Sequence, residues 1–347
     1  MSPVQLKIHK LLHWEYWPME AIYLPIFPVW LYFAFKARSF FFFNAANPSI
    51  KNGGMAMESK KEIYDIIPPE YIPKTILINK GKQLQEIMQE LKLAEIQFPL
   101  IAKPDIGMKA FGVDKINDEK ELAEYINKFQ DDFLIQELIS YPHELGVFYV
   151  RQPGDTRGKI TGIVQKNFLS VKGNGIATIR QLINSNPRCS FQLPSLIKKF
   201  GVGLDYILPN GEIFILVPYG SHTRGAEFID ISHKSTREFE KTMNTICTKI
   251  PGFYFGRLDI RYEDFDKLVK GENFSIIEIN GAGSEPTHIY DPKHSLLFAW
   301  REIIRHWKML YQISQYNKKQ GHRYLSYTEG RAMLRANSKL EAQLRLF

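Results

Sequence analysis

The chain has 347 residues, enough for two or three lobes with substantial cores, and its 44% hydrophobic and 24% charged content is that of an ordinary folded protein. A net charge of +8 and a pI of about 9.2 favour acidic partners such as nucleotides or anionic lipid. No basic run alternates with aromatic residues, which argues against nucleic acid, and two distant cysteines, Cys189 and Cys247, exclude a disulfide framework and a zinc site and fit a reducing cytoplasm.

The N-terminus is unusually aromatic. Trp14-Glu15-Tyr16-Trp17-Pro18 leads into a charge-free run over 21–35, broken by Pro25 and Pro28, and Lys36, Arg38 and the phenylalanines 40–43 follow. A bilayer-spanning helix needs about 20 apolar residues; this run is shorter and interrupted. A secretory signal would need a basic first region and a small-residue cleavage site, and neither is convincing here. Three readings stand side by side: an interfacial membrane segment, a buried element of the core, and a docking face for a partner.

The turn-rich stretch 47–54 separates this segment from the next. Helical spacing over 58–67 stops at Pro68-Pro69, a strand follows at 73–78, and a helix at 82–93. Residues 98–104 read as a strand ending in Lys103, and 105–113 as a glycine-bearing loop with a returning strand. Such a loop can offer backbone amides to phosphate oxygens, with Lys103 adding charge. It is neither a Walker A motif nor GxGxxG, and a plain hairpin fits it equally well.

An amphipathic helix over 119–129 is followed by strands at 133–139, 145–150 and 160–164. Gly173-Asn174-Gly175 opens a helix, strands are expected at 206–208 and 213–217, and 220–226 is a polar loop. After a helix at 236–249 come two strands, Gly256-Arg257-Leu258-Asp259-Ile260 and Ile276-Ile277-Glu278-Ile279-Asn280. As neighbours they direct the oxygens of Asp259, Glu278 and Asn280 to one point, a donor set that suits Mg²⁺. Alternation puts Arg257 on the same face as Asp259. From 295 the chain is helical and basic, with Trp300, Ile303, Ile304, Trp307 and Leu310 on one side.

In this order, Lys103-Pro104, the glycine loop, Gln136-Glu137-Leu138-Ile139, Glu144, Arg257-x-Asp259 and Glu278-x-Asn280 resemble the ATP-grasp superfamily. The D-alanine–D-alanine ligase and cyanophycin synthetase branches are the most similar, and Gly173-Asn174-Gly175 with Thr178-Ile179 and Leu182-Ile183 resembles an element of the latter. The resemblance spans about 58–291. It implies an α+β fold of two lobes whose antiparallel sheets clasp ATP. Four regions are expected: the hydrophobic segment 1–57, an N-terminal lobe 58–140, a C-terminal lobe 141–294 with the metal site, and a helical tail 295–347.

The resemblance also implies roles. Lys103 would hold phosphates under a lid formed by Gly107, Lys109 and Gly112; Lys60, with Lys61 competing, would be an earlier nucleotide lysine. Gln136, Glu137, Leu138 and Ile139 would line the adenine site, and Glu144 would bind the ribose. Lys166 or Lys172 would reach the γ-phosphate. Asp259, Glu278 and Asn280 would hold Mg²⁺ or Mn²⁺, with Arg257 stabilising an acyl phosphate. Ser221, His222, Arg224, Glu285 and His288 are substrate candidates, either contacts or ordinary loop polar groups.

The implied activity is an ATP-dependent, ADP-forming ligase joining a small or lipid-linked carboxylate to an amine or thiol, cytoplasmic or peripheral at the inner face of a membrane. A kinase on the same fold and a non-catalytic nucleotide-binding protein are the alternatives. Departures from the family pattern matter for specificity. Only 59 residues, hydrophobic and aromatic-rich, precede Lys60, Met108 to Phe111 replace a small serine-rich run, and Gly281-Ala282-Gly283-Ser284-Glu285-Pro286-Thr287-His288 replaces a Thr-Pro-Gly turn.

Overall fold

The computed structural model describes residues 2–108 and 110–345. Lys109, one of the expected lid residues, lies outside the described residues.

Eleven strands occur among the described residues: β1 (Thr75–Ile78), β2 (Leu100–Pro104), β3 (Asp114–Ile116), β4 (Phe133–Glu137), β5 (His143–Val150), β6 (Lys159–Asn167), β7 (Leu169–Lys172), β8 (Ile213–Val217), β9 (Glu227–Asp230), β10 (Phe255–Tyr262) and β11 (Phe274–Asn280). They form a four-stranded sheet of order β1-β4-β2-β3, a five-stranded sheet of order β11-β10-β5-β6-β9 and the ribbon β7-β8, with every pairing antiparallel. The expectation of mixed helix and antiparallel sheet is met. Residues 206–208 form no strand. Pro209 lacks an N–H for a ladder, and only a bridge from Ile207 to Thr178 is made.

The four-stranded sheet packs under the helices Leu84–Leu93 and Glu119–Lys128, burying Ile87, Leu91, Leu122 and Tyr125 against Leu100, Ala102 and Ile135. The five-stranded sheet has two dissimilar faces, because its side chains alternate. Leu145, Val147, Tyr149, Ile163, Leu258 and Ile260 point to one face and pack on the helix Arg237–Thr248. The other face is charged towards one end, with Glu144, Lys166, Arg257, Asp259 and Arg261, and aromatic towards the other, with Phe148 and Phe255.

The N-terminal segment covers the aromatic end. Trp30, Phe33, Phe41, Phe42 and Phe43 are buried there with Phe148, Phe255, Leu310 and Ile313, the last two from the helix Leu296–Lys319. The turn at 47–54 is equally integrated. Asn47 is fully buried, donates to the carbonyls of Gly53 and Phe255, and accepts from the amides of Tyr254 and Phe255. The last helix, Tyr327–Leu344, reaches from this core to the other lobe, where Leu344 packs with the four-stranded sheet. Among the described residues, no helix is long and apolar enough to cross a membrane.

Candidate nucleotide and metal site

Strand register assembles the charged end of the five-stranded sheet. On β10, Asp259 pairs with Gly146 of β5 on one side and with Glu278 of β11 on the other, while Arg257 pairs with Asn280. The register Leu145↔Gln165 between β5 and β6 then sets Lys166 beside Glu144. Gly146 contributes no side chain, so the Lys166 amine reaches across β5 to Asp259 at 2.9 Å as well as to Glu144 at 3.0 Å. A Cβ at Gly146 would sit 3.1 Å from Arg257 Cδ and 3.2 Å from Asp259 Oδ1, tight enough to disturb both.

Asp259 is the hub. Arg257 donates to it through Nε at 2.8 Å and Nη2 at 3.0 Å, a bidentate pair, and Asn280 Nδ2 lies 3.4 Å from the same carboxylate. Burial by itself would push the Asp259 carboxyl up; Arg257 and Lys166 outweigh it and hold the group down at about 2. Burial likewise works against the charge on Lys166, but Asp259 and Glu144 raise its pKa. Arg261, two residues beyond Asp259 on the same face, lies 3.3 Å from Glu144 and donates to the carbonyls of Tyr141 and Pro218. Buried charges in this number are costly unless they serve a ligand or mutually pair.

Between Asp259 and Ile260 the β10–β11 register slips, leaving Ile277 as a bulge. Its carbonyl turns to the other lobe and accepts from the Tyr64 hydroxyl and, at 3.4 Å, from the Lys103 amine. Lys103 also donates to Tyr64 Oη at 2.6 Å and Gln136 Oε1 at 2.8 Å. No carboxylate lies within ion-pair distance of it among the described residues. Burial pulls its pKa down to about 8, only partly opposed by Glu278.

The remaining expected nucleotide residues fall into two groups. Lys60, not Lys61, faces the site: its amine donates to the Gly107 carbonyl at 3.0 Å and lies 3.9 Å from Glu278, whereas Lys61 pairs with Asp65 on an exposed surface. Asp105 positions Lys60, since its Oδ1 accepts from Ser59 Oγ and the Lys61 amide at the start of the helix Lys60–Asp65. Gly112 adopts φ of +69°, and a Cβ there would press on Pro104. Gln136 is buried and engaged with Lys103 and Thr75, while Glu137 is exposed and tied to Lys74, with Leu138 and Ile139 half-exposed after it. Lys172 is exposed at the end of β7, apart from the cluster that takes Lys166.

The polar loop folds over this surface. A Cβ at Gly220 would lie 2.3 Å from Glu144 Oε1 and 2.6 Å from Lys166 Cδ, so only glycine lets the backbone pass so close. Arg224 Nη2 donates to the Ala110 carbonyl at 2.8 Å, joining this loop to the glycine loop. Ser221 bonds Thr223 within the loop. His222 lies 3.4 Å from Glu15 and stacks on Tyr290.

Glu285 lies at the Arg257 end, its carbonyl 3.4 Å from Arg257 Nη1. Its Oε1 accepts from the hydroxyls of Tyr23 and, at 3.1 Å, Tyr290. Burial, and then the Glu285 charge, drives both phenols well above the usual tyrosine value, so they act as neutral donors. His288 takes no part in this group; it is buried under Gly162 of β6 near Glu302. Glu58, Tyr64, Arg261 and Tyr23 join the site without having been singled out by sequence. For Arg261 the signal was present, in the alternation Arg257, Asp259, Arg261.

Among the described residues, no three His, Cys, Asp or Glu side chains converge into a metal cage. The candidate set is instead two carboxylates and one amide, facing each other across the β10–β11 pair. That set fits a cation whose remaining oxygens come from water and phosphate. Glu58 lies beside it: its Oε2 is buried without a hydrogen-bond partner, and burial, with Glu278 adding, raises its pKa.

No protein-family model and no curated protein matches the chain. In shape it is similar to a bifunctional glutathione synthetase from Pasteurella multocida (13% identity, TM-score 0.40, 76% of this chain and 38% of that one). It is also similar to the VanG D-Ala:D-Ser ligase from Enterococcus faecalis (15%, 0.43, 75% and 62%) and to a D-alanine–D-alanine ligase from Bacillus anthracis (14%, 0.43, 76% and 69%). The chain thus spans under two thirds of the first two. At these identities and scores, nothing about chemistry passes from those enzymes to this chain.

Proposed function

We propose that the protein is an ATP-dependent ligase of the ATP-grasp kind, joining a carboxylate to an amine through an acyl phosphate. The observation that supports this best is that Lys166 and Arg257 meet on Asp259, which pairs with Glu278 across two strands, while Lys103 from the other sheet reaches the bulged carbonyl of Ile277 next to Glu278. Cations from both lobes face one site, and a triphosphate is the substrate class that needs them.

In this reading Lys103 and Lys166 bind phosphate oxygens, Lys166 exchanging its carboxylate partners for them. Asp259, Glu278 and Asn280 would hold Mg²⁺, which supplies neutralising charge between the phosphates. The Gly107–Gly112 loop covers the phosphates and excludes water, and Glu137 with the backbone of Leu138 and Ile139 borders the adenine. Glu144, held by Lys166 and Arg261, is assigned to the ribose.

The substrate carboxylate attacks the γ-phosphorus and ADP leaves. The amine then attacks the acyl carbon, inorganic phosphate departs, and the amine nitrogen gives up a proton. Arg257 stabilises the negative charge that develops in both steps, and Glu285 with Ser221 and Arg224 reads the acceptor. A screen of acids paired with amines, following ADP and free phosphate together, tests the proposal. Ligation releases both in equal amounts; ADP without free phosphate would mean a kinase, and neither product with any pair would contradict catalysis.

A further inference from the structure

The N-terminal segment has two faces, and only one belongs to the core. In the helix Phe27–Ala37, Trp30, Phe33, Ala34 and Ala37 point inward, while Phe27, Leu31 and Phe35 recur at i, i+4 and i+8 on the outside. Phe35 is 83% exposed, and Leu24, just before this helix, 71%. A ridge of large apolar side chains this continuous marks an interaction surface. The first helix, Pro3–Leu12, repeats the pattern: none of its residues is buried, and Val4, Ile8 and Leu11 share one exposed stripe.

Charge identifies the occupant. Residues 1–43 carry Lys7, Lys10, Lys36 and Arg38 at exposed positions, against Glu20 as the single exposed acid; Glu15 is buried and paired with Arg188. A two-fold contact with a second copy would set these cations against their own images. An anionic lipid surface instead takes the apolar stripes between its headgroups and the lysines and arginine onto its phosphates. Tyr32, half-exposed with the Lys36 amine 5.4 Å from its ring centre, is the aromatic-plus-base pair found at such boundaries.

We propose that the outer face of this segment, Leu24 to Phe35 together with the first helix, seats the protein on an anionic membrane surface. The ridge starts one residue after Tyr23, whose hydroxyl is bonded to Glu285 in the candidate site. This inference stands apart from the ligase reading, since it rests on exposure and charge alone.

Sedimentation of the full chain with vesicles tests it, using phosphatidylcholine alone and phosphatidylcholine mixed equally with phosphatidylglycerol. The protein should sediment with the mixed vesicles, less with the neutral ones, and less as salt rises. Leu31→Glu with Phe35→Glu should lower the bound fraction at least about tenfold, with an unchanged thermal midpoint because both side chains are exposed. No sedimentation with mixed vesicles, or equal sedimentation of the double variant, would overturn the proposal. So would a dimer in free solution that the double variant returns to monomer without any vesicle binding, which would assign the ridge to a second copy.

Discussion

The Lys103 amine lies 2.6 Å from the Tyr64 hydroxyl, one lobe's cation held against a residue that also grips the other lobe's bulged strand. Burial pulls its pKa down to about 8, so above that pH the amine is mostly neutral and gains charge when an anion arrives.

Phosphate favours the ammonium form and raises that pKa. Binding of Mg²⁺-ATP above pH 8 should therefore take up a proton, and binding well below pH 8 should not. Calorimetry in buffers of different ionisation enthalpy measures this; an uptake that is zero at every pH would contradict the role. Lys103→Ala should abolish the uptake and weaken ATP by about 10–100-fold, the scale of a lost charged hydrogen bond.

Arg257 and Asp259 form one unit. Removing one member of a buried pair costs about 3–5 kcal/mol, so Arg257→Met should lower the urea midpoint and stop turnover together. The sign for acid follows from the depressed carboxyl. Asp259 contributes stability above its unfolded pKa, and the contribution disappears as pH falls through about 2. Asp259→Asn should flatten that acid limb, and an unchanged limb would assign the loss to other carboxylates.

Much of this geometry was legible in the sequence. Period-two alternation around Asp259 put Arg257 on its face, and the neighbouring strand with Glu278 and Asn280 pairs as expected. What could not be read depends on contacts between distant residues. The choice of Lys166 over Lys172 follows from the β5–β6 register and from Gly146 having no side chain. Tyr23 meets Glu285 across 262 residues. The aromatic run 21–43 has no polar face to reveal its period, so the division into a buried half and an exposed half appears only in the packing.

Tyr23→Phe removes one donor to Glu285 while leaving the nucleotide residues untouched. The KM for the amine acceptor should rise several-fold, about the effect of one hydrogen bond, with the KM for ATP unchanged. An equal rise in both would place the N-terminal segment at the nucleotide instead.

Arg224→Ala cuts the hydrogen bond between the polar loop and Ala110. Proteolytic nicking within 107–112 should quicken, and ATP should dissociate faster, by about five- to tenfold for one bond of this kind. Unchanged nicking would show that the glycine loop is held by other contacts.

The most direct measurement is calorimetric titration of ATP into the full chain with Mg²⁺ and with EDTA, repeated for Glu278→Gln. The account predicts binding that requires Mg²⁺ and weakens in the variant. No binding, or binding of equal strength with EDTA and in Glu278→Gln, would contradict it.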